Sequence, residues 1–259
     1  MRWIYCAIAL GFSLSVLAGV TASPPKLTAA QIVDRNVAAR GGLDAWRKVQ
    51  SMVWIGHLES EHAPLPSMGF VLEQKRPNMT RFQLIAMNER TVRAVDGRQG
   101  WKARPGNVEP YTLQELRFAQ AAPGLDGPLI DYKAKGNLVE LRGLEEIEGR
   151  AAWHLNVRLA SGERDDVWID THTFLELRYD RATVGANGLP ARPVSVIYRD
   201  FKKIDGMMVP SLVETGAGSG SVPDKMVVER IVLNAPLDDQ AFGRPGAANP
   251  RRAGRKSSP

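Results

Sequence analysis

The residues best suited to acid–base chemistry or metal binding in this chain are its four histidines. His57 and His62 are five positions apart on or near a predicted strand, so their side chains would point to opposite faces. His154 and His172 lie in separate predicted segments and can meet only across a sheet. None of these spacings is that of a zinc site, and the single cysteine, Cys6, lies far from them in sequence. We therefore expect no metal site and interpret the histidines as surface residues.

A group of carboxylates is the second candidate. Asp166 and Asp170 share one face of a predicted strand with Trp168 between them, and Asp165 precedes them. Paired carboxylates can act as general acid and general base, so a hydrolase using Asp166 and Asp170 is one alternative. No nucleophile completes the set, and hairpin ends are commonly acidic. A structural role is the favoured interpretation.

The glycine-rich segment 216–221 is the third candidate. It lacks the spacing of the dinucleotide-binding and Walker motifs, and no helix is predicted after it. A G-x-S-x-G nucleophile motif is also absent from the sequence. We therefore expect a hairpin loop here, no cofactor and no enzymatic activity.

The N-terminal residues 1–22 have the pattern of a secretory signal peptide. Arg2 supplies the positive charge, residues 3–17 are mainly apolar, and Val20, Thr21 and Ala22 are suitable for cleavage after Ala22. This apolar run is short for a membrane span and contains serine and glycine. The sequence predicts export to the periplasm and a mature chain without cysteine, because Cys6 lies within the signal.

The positive charge of the chain is concentrated at its C-terminal end. The net charge is +6, but no acidic residue follows Asp239, and residues 23–243 carry no net charge once Arg2 and five C-terminal bases are set aside. This distribution does not favour a nucleic-acid-binding face. Residues 244–259 are poor in large apolar residues and are predicted to form a disordered basic tail. The five bases are Arg244, Arg251, Arg252, Arg255 and Lys256.

Between the signal and the tail, residues 23–243 are predicted to form one domain. Thr28 is a good helix N-cap, apolar residues follow at helical spacing to Arg40, and Gly41 and Gly42 end the helix. From Ser51 onward the apolar period changes to two, which is typical of strands. Hairpin turns separate about 10–11 predicted strands without crossover helices, which favours an antiparallel sheet curling into an unclosed barrel.

Residues 101–135 interrupt this strand pattern. Several prolines and glycines lie here between two short helical patterns, at 113–121 and 129–134. We predict a helical lid laid across the sheet. The fold class is therefore mainly antiparallel β, with an N-terminal helix and a helical lid insertion.

Alternating apolar residues on the predicted strands are candidates for the lining of a hydrophobic cavity. Barrels of about this strand number can enclose a ligand, although the same residues could simply fill a core. The candidate ligand-binding residues are Trp54, Phe70, Leu72, Phe82, Leu84, Leu155, Val157, Leu175, Leu177, Val196 and Tyr198.

Several stretches resemble the LolA/LolB-like outer-membrane lipoprotein-sorting family. The first is AAQIVDR at 29–35, which runs to ARGG at 39–42. The second, YRDFKKIDGMMVP at 198–210, is similar to a late hairpin of that family. The third, LNAPLDDQAF at 233–242, is similar to its closing strand, and WID at 168–170 with LEL at 175–177 fits its central hairpin.

The resemblance implies an unclosed antiparallel barrel with a helical lid that holds lipid acyl chains. Expected ligands are then the acyl chains of lipoproteins or lipids, and expected partners include inner- and outer-membrane transport components. We expect a monomeric periplasmic carrier or chaperone, in lipoprotein sorting or envelope lipid trafficking. An envelope sensor or protein-interaction module on the same scaffold is the alternative, and the hydrolase is a more distant one.

Overall fold

A computed structural model describes residues 27–61, 63, 65–120, 122, 124–184, 190–217 and 222–246. The predicted signal peptide, His62 and residues 247–259 of the predicted tail lie outside the described residues. Within the described part, no helix is long and apolar enough to cross a membrane.

Two helices open the described chain. Helix α1 spans Ala29–Ala39 and begins with a capping box, in which the Gln31 backbone N–H donates to Thr28 Oγ1 at 3.3 Å and the Thr28 N–H donates to Gln31 Oε1 at 2.9 Å. Gly41 then takes a φ of +112°, and helix α2 spans Leu43–Lys48. The predicted N-terminal helix and its glycine stop are confirmed.

The rest of the fold is one antiparallel sheet of 13 strands in the order β6-β5-β4-β3-β2-β1-β13-β12-β11-β10-β9-β8-β7. Strands β1 and β13 lie beside each other in the middle, so the two ends of the strand region meet there. The strands are β1 Ser51–Glu59, β2 Ser67–Lys75, β3 Met79–Ala86, β4 Glu89–Val95, β5 Gly100–Arg104, β6 Asn107–Pro110, β7 Leu138–Ile147, β8 Arg150–Arg158, β9 Arg164–Asp170, β10 Glu176–Val184, β11 Pro190–Ile204, β12 Met207–Ala217 and β13 Asp224–Leu233.

The predicted fold class is confirmed, but the insertion is built differently from the expectation. Its first part is a hairpin, β5–β6, which extends the sheet and accounts for most of the additional strands. Helix α3, Leu113–Gln120, agrees with the first helical pattern. Residues 125–136 form consecutive turns instead of the second helix, because Asp131 adopts a positive φ of 53° in the middle of the predicted helical stretch, between Gly127 and Gly136, which also have positive φ.

One face of the sheet, which we call the inner face, carries α1, α2 and the two largest buried clusters of the core. Under α1, Ile32 and Val33 pack against Leu155, Val157 and Ile169, all at most 1% exposed. Under α2, Trp46 packs with other buried residues from β1, β12 and the turn segment 125–136. Leu129 and Ile130 of that segment are also at most 1% exposed, so it closes the core as a fixed element.

A buried polar network joins these elements. The Arg40 guanidinium donates to Glu176 Oε1 at 3.0 Å and to the Asp126 backbone carbonyl at 3.1 Å, and it stacks on the Trp46 ring at 4.4 Å. The Asp126 carboxylate, with 4% of its side chain exposed, pairs with Arg76 and Lys135 at 2.6 Å each. The network therefore ties the turn segment to α1, to the β2–β3 connection and to β10.

The motifs of the family resemblance meet at the same place. The Arg40 backbone carbonyl accepts the Met208 N–H at 3.1 Å. A Cβ on Gly41 would lie 2.8 Å from the Gly206 carbonyl oxygen, so only glycine permits this approach. At the other edge of the helices, Asn234 Oδ1 accepts the Gln50 N–H at 2.7 Å. These motifs therefore maintain the join between the helices and the sheet.

We predict that Glu176→Leu lowers the free energy of unfolding by about 3 kcal/mol, because it leaves the buried Arg40 charge without its carboxylate. The double variant Arg40→Met/Glu176→Leu should be more stable than Glu176→Leu alone. Urea denaturation measures both. The control is Arg47→Ala, which removes an ion pair with Asp131. The Arg47 side chain is 54% exposed, so this variant should lose less than about 1 kcal/mol of stability. Equal losses in Glu176→Leu and Arg47→Ala would contradict the assignment.

Candidate ligand-binding site

Helix α3 shows that the sheet is curled. Lys102 of β5 donates to Glu115 of α3 at 2.8 Å, and the guanidinium of Arg181 on β10 lies 4.1 Å from the centroid of the Phe118 ring of α3. Strands β5 and β10 are eight positions apart in the sheet, about 38 Å if it were flat. An eight-residue helix is only about 12 Å long. The sheet must therefore bend until its inner face is concave, with α3 bridging the opening.

Below α3 the inner face is apolar. Trp54, Leu72 and Phe82 are direct neighbours across β1, β2 and β3, and Phe70 pairs with Leu84 beside them. The Phe70 and Phe82 rings are 6.1 Å apart. Phe70 is 1% exposed, but the other four are only half-buried. We call these five residues the apolar wall.

Val196 and Tyr198 of β11 project from the same inner face. Directly paired residues on neighbouring strands lie on the same face of a sheet. Tyr198 pairs with Val213, Val213 with Met226, and Met226 with Leu58 of β1. Leu58 lies on the same face of β1 as Trp54, so Tyr198 lies on the inner face. Both β11 residues are half-buried. The structure thus brings seven of the eleven candidate residues onto one concave surface.

The other four candidates lie elsewhere. Leu155 and Val157 are fully buried in the core under α1. Leu175 lies in the connection before β10. The expectation for Leu177 is wrong: it packs on the outer face with Trp168 and Ala152. A register shift between Glu176 and Arg178 breaks the simple alternation on which that expectation depended.

His154, Asp166 and Asp170, which were considered for chemistry, lie on the outer face in structural contacts. His154 lies between Glu145 Oε1 at 2.7 Å and Asp166 Oδ1 at 2.9 Å and stacks on Trp168. Asp170 is 2% exposed and accepts backbone N–H groups of the following turn. No cluster of metal-ligating side chains occurs among the described residues.

Helix α3 is anchored at its N-terminal end. The Tyr111 N–H donates to the Gly100 carbonyl at 2.8 Å, and a Cβ on Gly100 would clash with the Tyr111 ring. Glu115 accepts the Thr112 N–H at 2.9 Å and the Lys102 ammonium at 2.8 Å. The hydrogen bond from Lys102, followed by that from Thr112, lowers the pKa of Glu115 to about 2.

The C-terminal part of α3 is weakly held. The helix has no buried residue, and Leu113 and Phe118 are 78% and 46% exposed. The Phe118 ring over Arg181 is its contact with the far side of the opening. A helix with one firm end and little buried apolar surface belongs to the low-stability part of a fold.

Arg181 is the functional candidate that sequence reasoning missed. It is the direct neighbour of Asp165 across β9 and β10, on the inner face with Tyr179. The Tyr179 hydroxyl donates to Asp165. Burial raises the pKa of the Tyr179 hydroxyl and lowers the pKa of Arg181. The available signal was a charged residue at an inward position, two residues after an inward tyrosine.

The chain was compared with protein-family models, curated proteins and solved structures. No protein-family model and no curated protein matches the chain. Solved structures do match, and three of them are similar over most of their length. One is a LolA superfamily protein from Nitrosomonas europaea, with a TM-score of 0.55 and 14% identity, covering 84% of this chain and 98% of that one. Another is a DUF1329 family protein from Desulfovibrio piger, with a TM-score of 0.54 and 13% identity, covering 83% of this chain and 97% of that one. The third is a domain from Vibrio parahaemolyticus described as an outer-membrane lipoprotein-sorting domain, with a TM-score of 0.53 and 10% identity, covering 82% of this chain and 94% of that one.

The fold is therefore that of an unclosed, curled β-barrel with a helix across its opening. It is LolA-like, as the sequence resemblance implied. At these identities the similarity establishes the fold, and none of the three proteins is named as an enzyme.

The anchor of α3 predicts an unusual titration. Because the pKa of Glu115 is lowered in the folded protein, its ion pair is present above the ordinary value of 4.5 and is lost as the pH falls through about 2. Carboxyl NMR should give a midpoint near 2 for Glu115. In Lys102→Met, which removes the largest cause, the midpoint should move back towards 4.5. A midpoint near 4.5 in the unmodified protein would show that the anchor does not form.

Proposed function

We propose that this protein is a periplasmic carrier or binding protein for the acyl chains of lipoproteins or lipids. The observation that carries the proposal is the apolar wall, four of whose five residues stay half-buried on a concave face beneath a helix with no buried residue of its own. A filled core would bury these residues as completely as Leu155 and Val157.

Burial of hydrocarbon is sufficient chemistry for such a ligand. Each methylene group moved out of water contributes about 0.8 kcal/mol, so ten of them contribute about 8 kcal/mol, which corresponds to micromolar affinity before ordering costs. A carrier needs no catalytic group, and the outer-face carboxylates engaged in structural contacts supply none. We accordingly propose that the protein has no enzymatic activity and uses no cofactor.

Location and partners follow from the proposed cargo. Export through the N-terminal signal would place the protein in the periplasm, where acyl chains must cross water between two membranes. The domain from Vibrio parahaemolyticus is assigned to outer-membrane lipoprotein sorting, which is consistent with this role. We propose membrane components at either side as donors and acceptors, and lipoprotein or lipid as cargo.

The wall is tested by introducing charge. Leu72→Glu should weaken binding of a fluorescent long-chain fatty acid at least tenfold while the protein stays folded, because a half-buried carboxylate on an open surface keeps part of its water. Leu155→Glu is the matched control, since its side chain is fully buried and the variant should lose several kcal/mol of stability. Probe titration, urea denaturation and native mass spectrometry of gently extracted protein measure these effects.

Two results would oppose the carrier role. The first is an unmodified protein that binds neither probe nor cellular lipid. The second is a Leu72→Glu variant that unfolds like Leu155→Glu, which would place the wall in a solid core.

The contact of α3 with β10 should control release. Phe118→Ala removes the ring that covers Arg181 and should speed dissociation of a bound neutral long-chain alcohol, hexadecanol, about two- to thirtyfold, since a cation–π contact contributes about 0.5–2 kcal/mol. Leu113→Ala, on the same helix and 78% exposed, should leave the rate unchanged. Stopped-flow transfer to acceptor vesicles measures both rates. Equal rates would mean that α3 does not gate the opening.

A further inference from the structure

The inner face carries one cation whose surroundings are unusual. Arg181 projects from β10 into the concave side, where burial lowers the pKa of its guanidinium. Removing a guanidinium from water is costly unless anionic oxygen replaces the water. The contacts of Arg181 therefore indicate whether its charge is satisfied within the protein.

The nearest carboxylate compensates the charge of Arg181 only in part, because burial lowers the pKa of the guanidinium more than the charge of Asp165 raises it. Asp165, the cross-strand neighbour of Arg181, is 1% exposed and accepts the hydroxyl hydrogen of Tyr179. Glu176, the next inner-face carboxylate, is paired with Arg40 at 3.0 Å. Among the ion pairs formed within the described ranges, none includes Arg181; its ring contact is with Phe118. An aromatic face compensates a desolvated cation less fully than a charged oxygen.

A second donor lies on the neighbouring strand β11. Tyr198 is half-buried on the inner face, and its hydroxyl and the Arg181 guanidinium influence each other electrostatically. Burial, followed by the charge of Glu176, raises the pKa of Tyr198, so the phenol keeps its proton and remains able to donate. Arg181 and Tyr198 thus offer N–H and O–H groups to the same concave space as the apolar wall.

We propose that Arg181 and the Tyr198 hydroxyl bind the anionic oxygens of an amphiphile, a carboxylate or a phosphate, whose acyl chain lies on the apolar wall. The head group would take the position of the Phe118 ring over the guanidinium, so that ligand entry and displacement of α3 use the same residue. This inference rests on the proposed carrier function and narrows its ligand to anionic amphiphiles.

The test compares head groups on one chain length. Palmitate, hexadecyl phosphate and hexadecanol are titrated below their aggregation concentrations against the full mature protein. The unmodified protein should bind each of the two anions at least tenfold more tightly than the alcohol, the size expected for charged hydrogen bonds. Inorganic phosphate alone should not displace palmitate at equal concentration, because it has no chain.

The variants assign the preference to residues. Arg181→Met should abolish the preference for anions while leaving hexadecanol binding within about twofold, and Arg181→Lys should restore part of it. Tyr198→Phe, which removes only the hydroxyl, should reduce the preference less. Arg117→Met, at an exposed arginine on α3, is the control and should change nothing. Urea denaturation confirms that each variant is folded.

The outcomes separate this inference from the carrier function. Equal binding of all three amphiphiles by the unmodified protein, or a preference that survives Arg181→Met, would overturn the head-group site and leave the acyl carrier intact. Failure to bind any of the three would defeat the carrier function itself. Full displacement by inorganic phosphate would overturn the proposal by showing a phosphate site independent of lipid.

Discussion

The buried ion pair between Arg40 and Glu176 is the constraint on which the rest of the structure depends. This buried guanidinium is stabilised by a carboxylate, a backbone carbonyl and the Trp46 ring, although its Nε has no hydrogen-bond partner among the described residues. Through the neighbouring Asp126 the same network holds the turn segment 125–136 against the core. The turn segment therefore fills one end of the curled sheet, and a ligand would lie towards the other end.

The turn segment 125–136 is firmly packed, so α3 is the part of the insertion with the least buried surface. The residues between β5 and β7 form a hairpin within the sheet, a weakly packed helix and a tightly packed turn segment, three parts with very different amounts of buried surface. Arg181 contacts the weakly packed helix through the Phe118 ring. Its desolvated charge provides a reason for the helix to close over an empty site and a reason for an anionic head group to replace it.

Much of the fold could be predicted from the sequence because its local signals agree. The cap at Thr28, the glycines after Arg40 and the period-two strands all point to the observed elements, and the resembling motifs lie where helices and sheet are joined. The failures have physical causes. The β5–β6 hairpin was not predicted, because prolines and glycines interrupt its strand pattern. Leu177 was assigned to the wrong face, because a register irregularity precedes Arg178. The site was predicted less well. The alternating pattern indicates which face of the sheet a residue is on, but not whether that part of the face is covered by α1 or lies beneath α3.

The central pairing of β1 with β13 has a consequence for how the chain reaches this state. Met52 lies opposite Leu233, so the middle of the sheet is made by segments from nearly opposite ends of the described chain. The meanders from β1 to β6 and from β7 to β13 can each assemble by local hairpins, but they join only through this non-local contact. Because closing so long a loop costs conformational entropy, we expect this pairing to form late in folding. Until the last strand is available, the N-terminal half exposes an unpaired central edge. Such an intermediate is vulnerable to wrong strand pairing, and any chaperone acting on it would need to shield β1.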